Sequence, residues 1–99
     1  MSMTLVVTRN VEHRYHGFLS SVMLEIAPGV YTSPRMTKGI RERVWDVLGR
    51  WHGELRNGAI VMTWRDSEAA GGQCLAYLGE PPRELVEVDG MVLVRRKAD

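Results

Sequence analysis

Apolar and polar positions change their spacing along the chain in a way that separates strands from helices. Residues 3–8 form a short β-branched apolar run, which predicts a central strand covered on both faces. Asn10 is a candidate cap for the helix that follows. Apolar side chains then recur at helical spacing, at Val11, Tyr15, Phe18, Leu19 and Val22. The chain is therefore predicted to begin with a strand and an amphipathic helix.

The middle of the chain predicts two more strands and a second helix. Residues 24–33 are typical of two short strands that turn at Pro28 and Gly29, because proline presets the first turn angle and glycine accepts the second. Ser33 and Pro34 predict the start of a helix, with serine as its cap. Helical spacing then continues as far as Gly53, at Ile40, Val44, Val47, Leu48 and Trp51.

The remaining segments complete a recognisable order of elements. Residues 59–64 and 73–78 predict strands, and residues 85–94 predict a hairpin that turns at Asp89 and Gly90. The order βαββαβ, followed by extra C-terminal strands, is that of a ferredoxin-like α+β fold. Residues 1–99 are few enough to form a single domain. Since two helices cover only one face of the sheet, a second copy is expected on the other, in a homodimer.

Composition and charge narrow the function classes. With 44% hydrophobic and 25% charged residues, the chain is neither disordered nor fibrous. Up to Arg65 nine basic residues outnumber five acidic ones, and beyond it four basic residues face seven acidic ones. This division allows an anionic partner on one surface and a different partner on another, although mixed surfaces are also common on proteins that bind no nucleic acid.

Cationic side chains cluster near predicted helix starts and loops. Free backbone amides and the helix dipole favour phosphate at such places. No aromatic stacking motif accompanies these side chains, so contact with the backbone of double-stranded DNA is favoured over recognition of single-stranded bases. The predicted DNA-binding residues are Arg14, His16, Lys38, Arg41 and Arg83.

Sequence motifs for catalysis or metal binding are absent, since the chain has no phosphate loop, dinucleotide fingerprint or zinc motif. Cys74 alternates with hydrophobic neighbours, which is typical of core packing. The histidines lie on two different predicted helices: His13, His16 and His52. The sequence spacing does not bring together the carboxylates that remain as candidate magnesium ligands: Glu12, Glu25 and Asp66. We therefore expect no catalytic residue, no metal and no cofactor in a single chain.

The expected location is the cytoplasm. Cys74 is the single cysteine and can form no internal disulfide, which suits a reducing compartment. No apolar run approaches the roughly 20 residues of a membrane span, and the first residues lack the charged leader of a secretory signal. No membrane partner is expected.

The sequence resembles a known family along nearly its whole length: the second, small CRISPR-associated protein of the spacer-acquisition complex, in its type I-E form. Only residues 66–72 and the last few residues look divergent. The resemblance rests on Met1–Met3 with the following Leu-Val-Val-Thr strand, Asn10–Val11, Gly17, Leu24–Ala27, Gly29–Tyr31, Lys38, Ile40–Glu42, Trp45, Asn57–Gly58, Val61–Met62, Trp64, Gly79–Glu80 and Val88–Gly90.

This resemblance implies a ferredoxin-like homodimer that bridges two dimers of an integrase subunit and holds a duplex fragment for insertion into the CRISPR array. It implies basic contacts to DNA at Arg14, Lys38 and Arg83, while His16 replaces an arginine and Pro82 occupies a second arginine position. The C-terminal hairpin matches the segment that crosses the dimer and meets the integrase subunit. The partner-binding residues implied there are Leu85, Val86, Val88, Met91 and Leu93.

Some members of the family are described as metal-dependent endoribonucleases or deoxyribonucleases. That activity is placed on an acidic residue at the end of the first strand, paired across the dimer axis around a divalent ion such as Mg²⁺. Arg9 occupies this position here, and a guanidinium cannot ligate magnesium. The favoured function is therefore a non-catalytic DNA-binding scaffold, and the alternatives are a metal-dependent nuclease and, less favoured, a ferredoxin-like module that binds a small ligand.

Overall fold

The computed structural model describes residues 2–80, 84–89 and 91–95 of the chain. Its elements follow the predicted order, with a short 3₁₀ turn before the fifth strand. They are β1 (Ser2–Arg9), α1 (His13–Val22), β2 (Leu24–Ala27), β3 (Val30–Met36), α2 (Lys38–Glu54), β4 (Ala59–Arg65), β5 (Gln73–Leu78), β6 (Glu84–Val88) and β7 (Met91–Arg95).

Five of the strands form one antiparallel sheet in the order β2-β3-β1-β4-β5. The first four strands of this order, β2-β3-β1-β4, have the arrangement of a ferredoxin-like fold, in which each helix crosses over a strand that lies between the two strands it connects. β5 extends the sheet beside β4, and β6 pairs with β7 in a separate two-stranded sheet. The α+β class and the ferredoxin-like order predicted from the sequence are confirmed.

The core lies between the helices and one face of the sheet. Successive strand residues point to opposite faces, and in β1 the buried residues are Thr4 and Val6, whereas Met3 and Val7 are exposed. α1 and α2 bury one stripe each, as their apolar spacing predicts. The fully buried side chains are Thr4, Val6, Tyr15, Leu19, Tyr31, Leu48, Ile60 and Met62.

The face of the sheet turned away from the helices is apolar, and in the part of the chain that the structure describes no element packs across it. We call it the open face and define it by Met3, Leu5, Val7, Leu24, Val61 and Tyr77, which the strand registers place on one side. Met3 is 57% exposed and Leu24 62% exposed. An apolar surface of this kind on a soluble domain is typical of an interface.

Both helices begin later than the sequence pattern predicts. Asn10 caps no helix: its φ is +56°, in the left-handed region that asparagine tolerates, and α1 begins at His13. Pro34 lies in β3. It is at the register shift between β3 and β1, and it follows the last residue of β3 that pairs with β2. The missing N–H of proline therefore disturbs no hydrogen bond of the sheet. α2 begins instead after Thr37, whose hydroxyl oxygen accepts from the Ile40 N–H at 3.2 Å.

The predicted C-terminal hairpin is present, with Asp89 in its turn at a φ of +51°. Its register pairs Val86 with Leu93 and Val88 with Met91. Because residues two apart share a face of a strand, these four side chains lie on one face of the ribbon. We call this the hairpin face. Val88, Met91 and Leu93 are all exposed in the single chain.

The opposite face of the hairpin is turned toward the body of the domain at Gly71. A Cβ atom at Gly71 would lie only 2.5 Å from Cγ2 of Val92, and Gly71 has a φ of +70°. Glycine is therefore required there both by the close approach of Val92 and by the backbone conformation. This contact leaves the hairpin face directed away from Gly71.

In the part of the chain that the structure describes, no helix combines the length and the apolar character needed to cross a membrane.

Candidate nucleic-acid interface

Arg14 lies where the start of α1 meets the end of α2. Its guanidinium carbon is 4.8 Å from the centre of the Trp51 ring and 5.8 Å from that of Tyr15. The Nη2 atom donates to Glu54 Oε2 at 3.2 Å and lies 4.0 Å from Glu12 Oε1. Stacking and ion pairing together hold the guanidinium at one place on the helix layer, with its side chain 39% exposed.

Arg14 is supported by a cluster of aromatic side chains packed edge to face. Trp51 contacts both Tyr15 and Phe18, with ring centres 5.3 and 5.4 Å apart. Tyr15 is fully buried, and this burial raises the pKa of its hydroxyl above the ordinary value. A neutral aromatic platform therefore lies beneath the Arg14 cation.

His16, two residues after Arg14 in α1, is turned inward more than the sequence predicts. Its Nδ1 atom is 2.6 Å from the hydroxyl oxygen of Tyr31, a fully buried residue of β3. Burial, followed by the nearby Glu25 carboxylate, raises the pKa of Tyr31, so this hydroxyl keeps its proton. When Tyr31 donates to Nδ1, the neutral imidazole carries its own proton on Nε2 and can still donate to a phosphate.

Lys38 is the first residue of α2 and projects into solvent, with 78% of its side chain exposed. Glu42, one turn along the helix, lies 4.0 Å from its Nζ atom. Exposed pairs at this spacing contribute only about 0.3–0.5 kcal/mol. Lys38 is therefore available to an outside anion.

Arg41 borders a surface depression. Its guanidinium carbon lies 4.4 Å from the centre of the Trp64 ring. The depression has a volume of about 470 Å³ and is open to solvent. Its walls are formed by Ser2, Arg41, Trp64, Arg65, Asp66 and Ser67. The depression thus brings together two cations, Arg41 and Arg65, and one carboxylate, Asp66.

These predicted contacts occupy the two ends of the helix layer. Arg14 lies beside the last turn of α2, whereas Lys38 and Arg41 lie in its first turn. A 17-residue helix is about 25 Å long at 1.5 Å per residue. That distance corresponds to about seven base pairs of a duplex. Arg83, the fifth predicted contact, lies outside the described residues.

Arg9 ends β1 on the opposite side of the sheet from the helices. Its guanidinium is 3.7 Å from a carboxylate oxygen of Glu80, and both side chains are more than 70% exposed. Within the described residues, no three histidine, cysteine, aspartate or glutamate side chains gather as metal ligands. The end of β1 therefore offers a cation where a metal site would need a carboxylate.

Cys74 faces the helix side of the sheet, as its alternation with hydrophobic residues predicts. It is half-buried, and its thiol donates to Asp66 Oδ2 at 3.7 Å. Burial and the Asp66 carboxylate both raise the pKa of the thiol. The thiolate that nucleophilic chemistry requires is thus disfavoured.

Sequence reasoning missed the side chains that hold the cations in place. Trp51 and Trp64 are assigned to apolar helix and strand positions by their spacing, and each instead presents a ring face to an arginine. Glu54 is separated from Arg14 by 40 residues, so no local pattern connects the two. The signal that could have found the two tryptophans is not specific, because an arginine close to a half-buried tryptophan is a frequent pair in folded proteins.

The sequence matches the family model described as CRISPR-associated protein (Cas_Cas2CT1978) over residues 3–93. This range runs from the first strand to the hairpin and covers most of the 99-residue chain. It includes every residue of the candidate interface.

Proposed function

The chain belongs to the CRISPR-associated Cas2 family, and from this premise we propose that it is a non-catalytic, DNA-binding scaffold subunit of the CRISPR adaptation complex. Family membership supports a role in CRISPR adaptation. In the proposed role, a homodimer of the chain bridges two dimers of the integrase subunit and holds the duplex fragment that is to be inserted. No cofactor is required for this role.

The observation that carries the proposal is the placement of cations at both ends of one helix layer, with a stacked arginine at one end and an exposed lysine at the other. Arg14 and Lys38 are single cations at separate places, so the contacts expected of them are to phosphates and not to base edges. The chain measures 42 × 37 × 23 Å. A single copy can therefore support about 12 base pairs of duplex along its longest dimension, at 3.4 Å each.

Salt dependence tests this platform. Arg14 and Lys38, doubled by a two-fold axis, neutralise about four phosphates, and each contact contributes about 0.9 to the slope of log K against log salt. Arg14→Ala or Lys38→Ala removes two contacts and should make the slope shallower by about 2. The measurement is fluorescence anisotropy of the complex with the integrase subunit on two unrelated duplexes of equal length.

Arg9→Ala is the matched control, because it removes one positive charge per copy from the other side of the sheet. Its slope should remain that of the unaltered protein. Slopes that stay unchanged in Arg14→Ala and Lys38→Ala would place the duplex on another surface. A strong preference for one of the two duplexes would exclude a platform that contacts only the backbone.

The second candidate function is metal-dependent cleavage of RNA or DNA. It would need Mg²⁺ at the end of β1, where Arg9 supplies no ligand and pairs with Glu80. We therefore expect the purified protein, with magnesium or manganese, to cleave single-stranded RNA, single-stranded DNA and duplex no faster than a buffer blank. Gel assays of labelled substrates measure this. Cleavage that follows the protein through purification, stops on chelation and disappears in Arg9→Ala would establish the nuclease instead.

A further inference from the structure

Glu54 occupies an unfavourable place for a carboxylate. It is the last residue of α2, where the helix dipole presents partial negative charge and favours a cation. Its side chain is 64% exposed, so packing does not require it. A residue that breaks a local preference without a structural need is a candidate for a functional role.

The favourable contact that Glu54 makes is with the proposed DNA contact itself. Its Oε2 atom accepts from Nη2 of Arg14 at 3.2 Å, and Glu12 adds a second carboxylate 4.0 Å from the same nitrogen. A carboxylate and a phosphate use the same donors of a guanidinium. A phosphate approaching Arg14 therefore meets a cation whose Nη2 donor is already occupied and whose charge is already partly balanced.

We propose that Glu54 is an internal competitor of the DNA phosphate at Arg14 and that it lowers the affinity of the scaffold for duplex DNA. This inference rests on the proposed function of the chain and adds a residue that sets how tightly the duplex is held. In the free protein Glu54 binds Arg14, and in the complex the phosphate takes its place, so that each binding event must first break the ion pair.

We assign Glu54 to competition and not to positioning because two aromatic side chains also hold Arg14. The guanidinium lies over the Trp51 ring at 4.8 Å and beside Tyr15, and both rings are fixed in the core or against it. Removing Glu54 therefore leaves the orientation of Arg14 largely set by the aromatic platform. The carboxylate contributes negative charge next to the phosphate site, and this is what its removal changes.

The competitor acts at Arg14 more than at Lys38. Glu42 lies 4.0 Å from the Lys38 Nζ atom, both side chains are more than 60% exposed, and Lys38 has four rotatable bonds with which to leave its partner. Arg14 and Glu54 are closer and hydrogen-bonded, and the Arg14 side chain is only 39% exposed. The effect of removing a carboxylate should therefore be largest at Glu54.

The test uses four full-length variants in the duplex-binding measurement: Glu54→Gln, Asp46→Asn, Arg14→Ala and the double change of Arg14→Ala with Glu54→Gln. Asp46 is the matched control, an exposed carboxylate on the same helix with no ion pair among the described residues. Removing one unit charge about 7 Å from a phosphate, in both copies, is expected to tighten binding about fivefold at low salt. Asp46→Asn should change affinity less than twofold.

Five outcomes decide between these explanations. A gain in Glu54→Gln that is lost when Arg14 is already alanine supports the competitor. A loss of affinity in Glu54→Gln, with an unchanged melting temperature, would instead make Glu54 a positioning residue and overturn the inference. An equal gain in Asp46→Asn, or an equal gain when Glu54→Gln is added to Arg14→Ala, would show that the overall charge of the chain sets the affinity. Either result would overturn the inference. If the unaltered protein binds no duplex, the proposed function fails together with the inference, whereas binding without any effect at Glu54 rejects the inference alone.

Discussion

Replacing Val7 by aspartate is expected to convert the proposed homodimer into monomers of 11.2 kDa. Val7 lies on β1, the middle strand of the five-stranded sheet, and its side chain belongs to the open face. It is 39% exposed in the single chain, so aspartate is tolerated there without a partner. Light scattering after size-exclusion chromatography gives the mass of each variant.

The expected effect is large because a dimer with two-fold symmetry would bury the new charge twice. An unpaired carboxylate removed from water costs several kcal/mol. At about 3 kcal/mol for each copy, the dissociation constant would rise by about four orders of magnitude. The nearest cation on this face is Arg9, two residues along β1, and it already pairs with Glu80 at 3.7 Å.

Val22→Asp is the matched control for this prediction. Val22 is 40% exposed, nearly the same as Val7, but it lies at the end of α1 on the helix side of the sheet. This variant should remain a dimer. Dimers in both variants would show that the chain associates through a surface other than the open face, and monomers in the unaltered protein would contradict the homodimer itself.

The topology could be predicted from the sequence because apolar spacing sets each element and the short connections leave few ways to arrange them. β5, for example, occupies residues 73–78, as its pattern predicts. The open face also follows from this reasoning, since two helices cannot cover both sides of a sheet. What the single chain adds is the identity of the exposed side chains on the central strand, Met3 and Val7.

The helix starts could not be predicted because local turn signals compete with strand pairing. Ser33 and Pro34 form a good helix start in isolation, yet Ser33 pairs with Thr4 of β1 and continues the strand. The cap passes to Thr37, which has the side chain for it but no proline beside it to mark the place. Tertiary hydrogen bonds thus override a preference worth about 1 kcal/mol.

The candidate interface, like the fold, could be predicted from the sequence only in part. Arg14 and Lys38 can be singled out from the sequence, since charge and proximity to a helix start are local properties. Whether such a cation is free, stacked or ion-paired depends on side chains far along the chain, as the contact between Arg14 and Glu54 illustrates. The electrostatic state of the site is therefore a property of the fold, and the inference on Glu54 needed the structure.

Replacing Leu93 by glutamate is expected to abolish capture of the integrase subunit. Leu93 pairs with Val86 on the hairpin face and is 44% exposed. Exposed apolar strands bind partners by burying side chains and extending the sheet. A buried, unpaired carboxylate at each of two symmetric sites would weaken the complex at least a hundredfold. Co-elution of the two proteins on size-exclusion chromatography, with and without duplex, measures the loss.

Val94→Glu is the matched control that distinguishes a requirement for the hairpin face from a requirement for a folded hairpin. Val94 is the next residue of β7 and is 47% exposed, but it lies on the same side of the ribbon as Val92, which is turned toward Gly71. Both changes place one glutamate in the same strand, so they disturb strand formation equally. Capture retained in Val94→Glu and lost in Leu93→Glu would assign docking to the hairpin face. Equal loss in both would mean that the subunit needs only a folded hairpin, and equal retention would place the docking surface elsewhere on the chain.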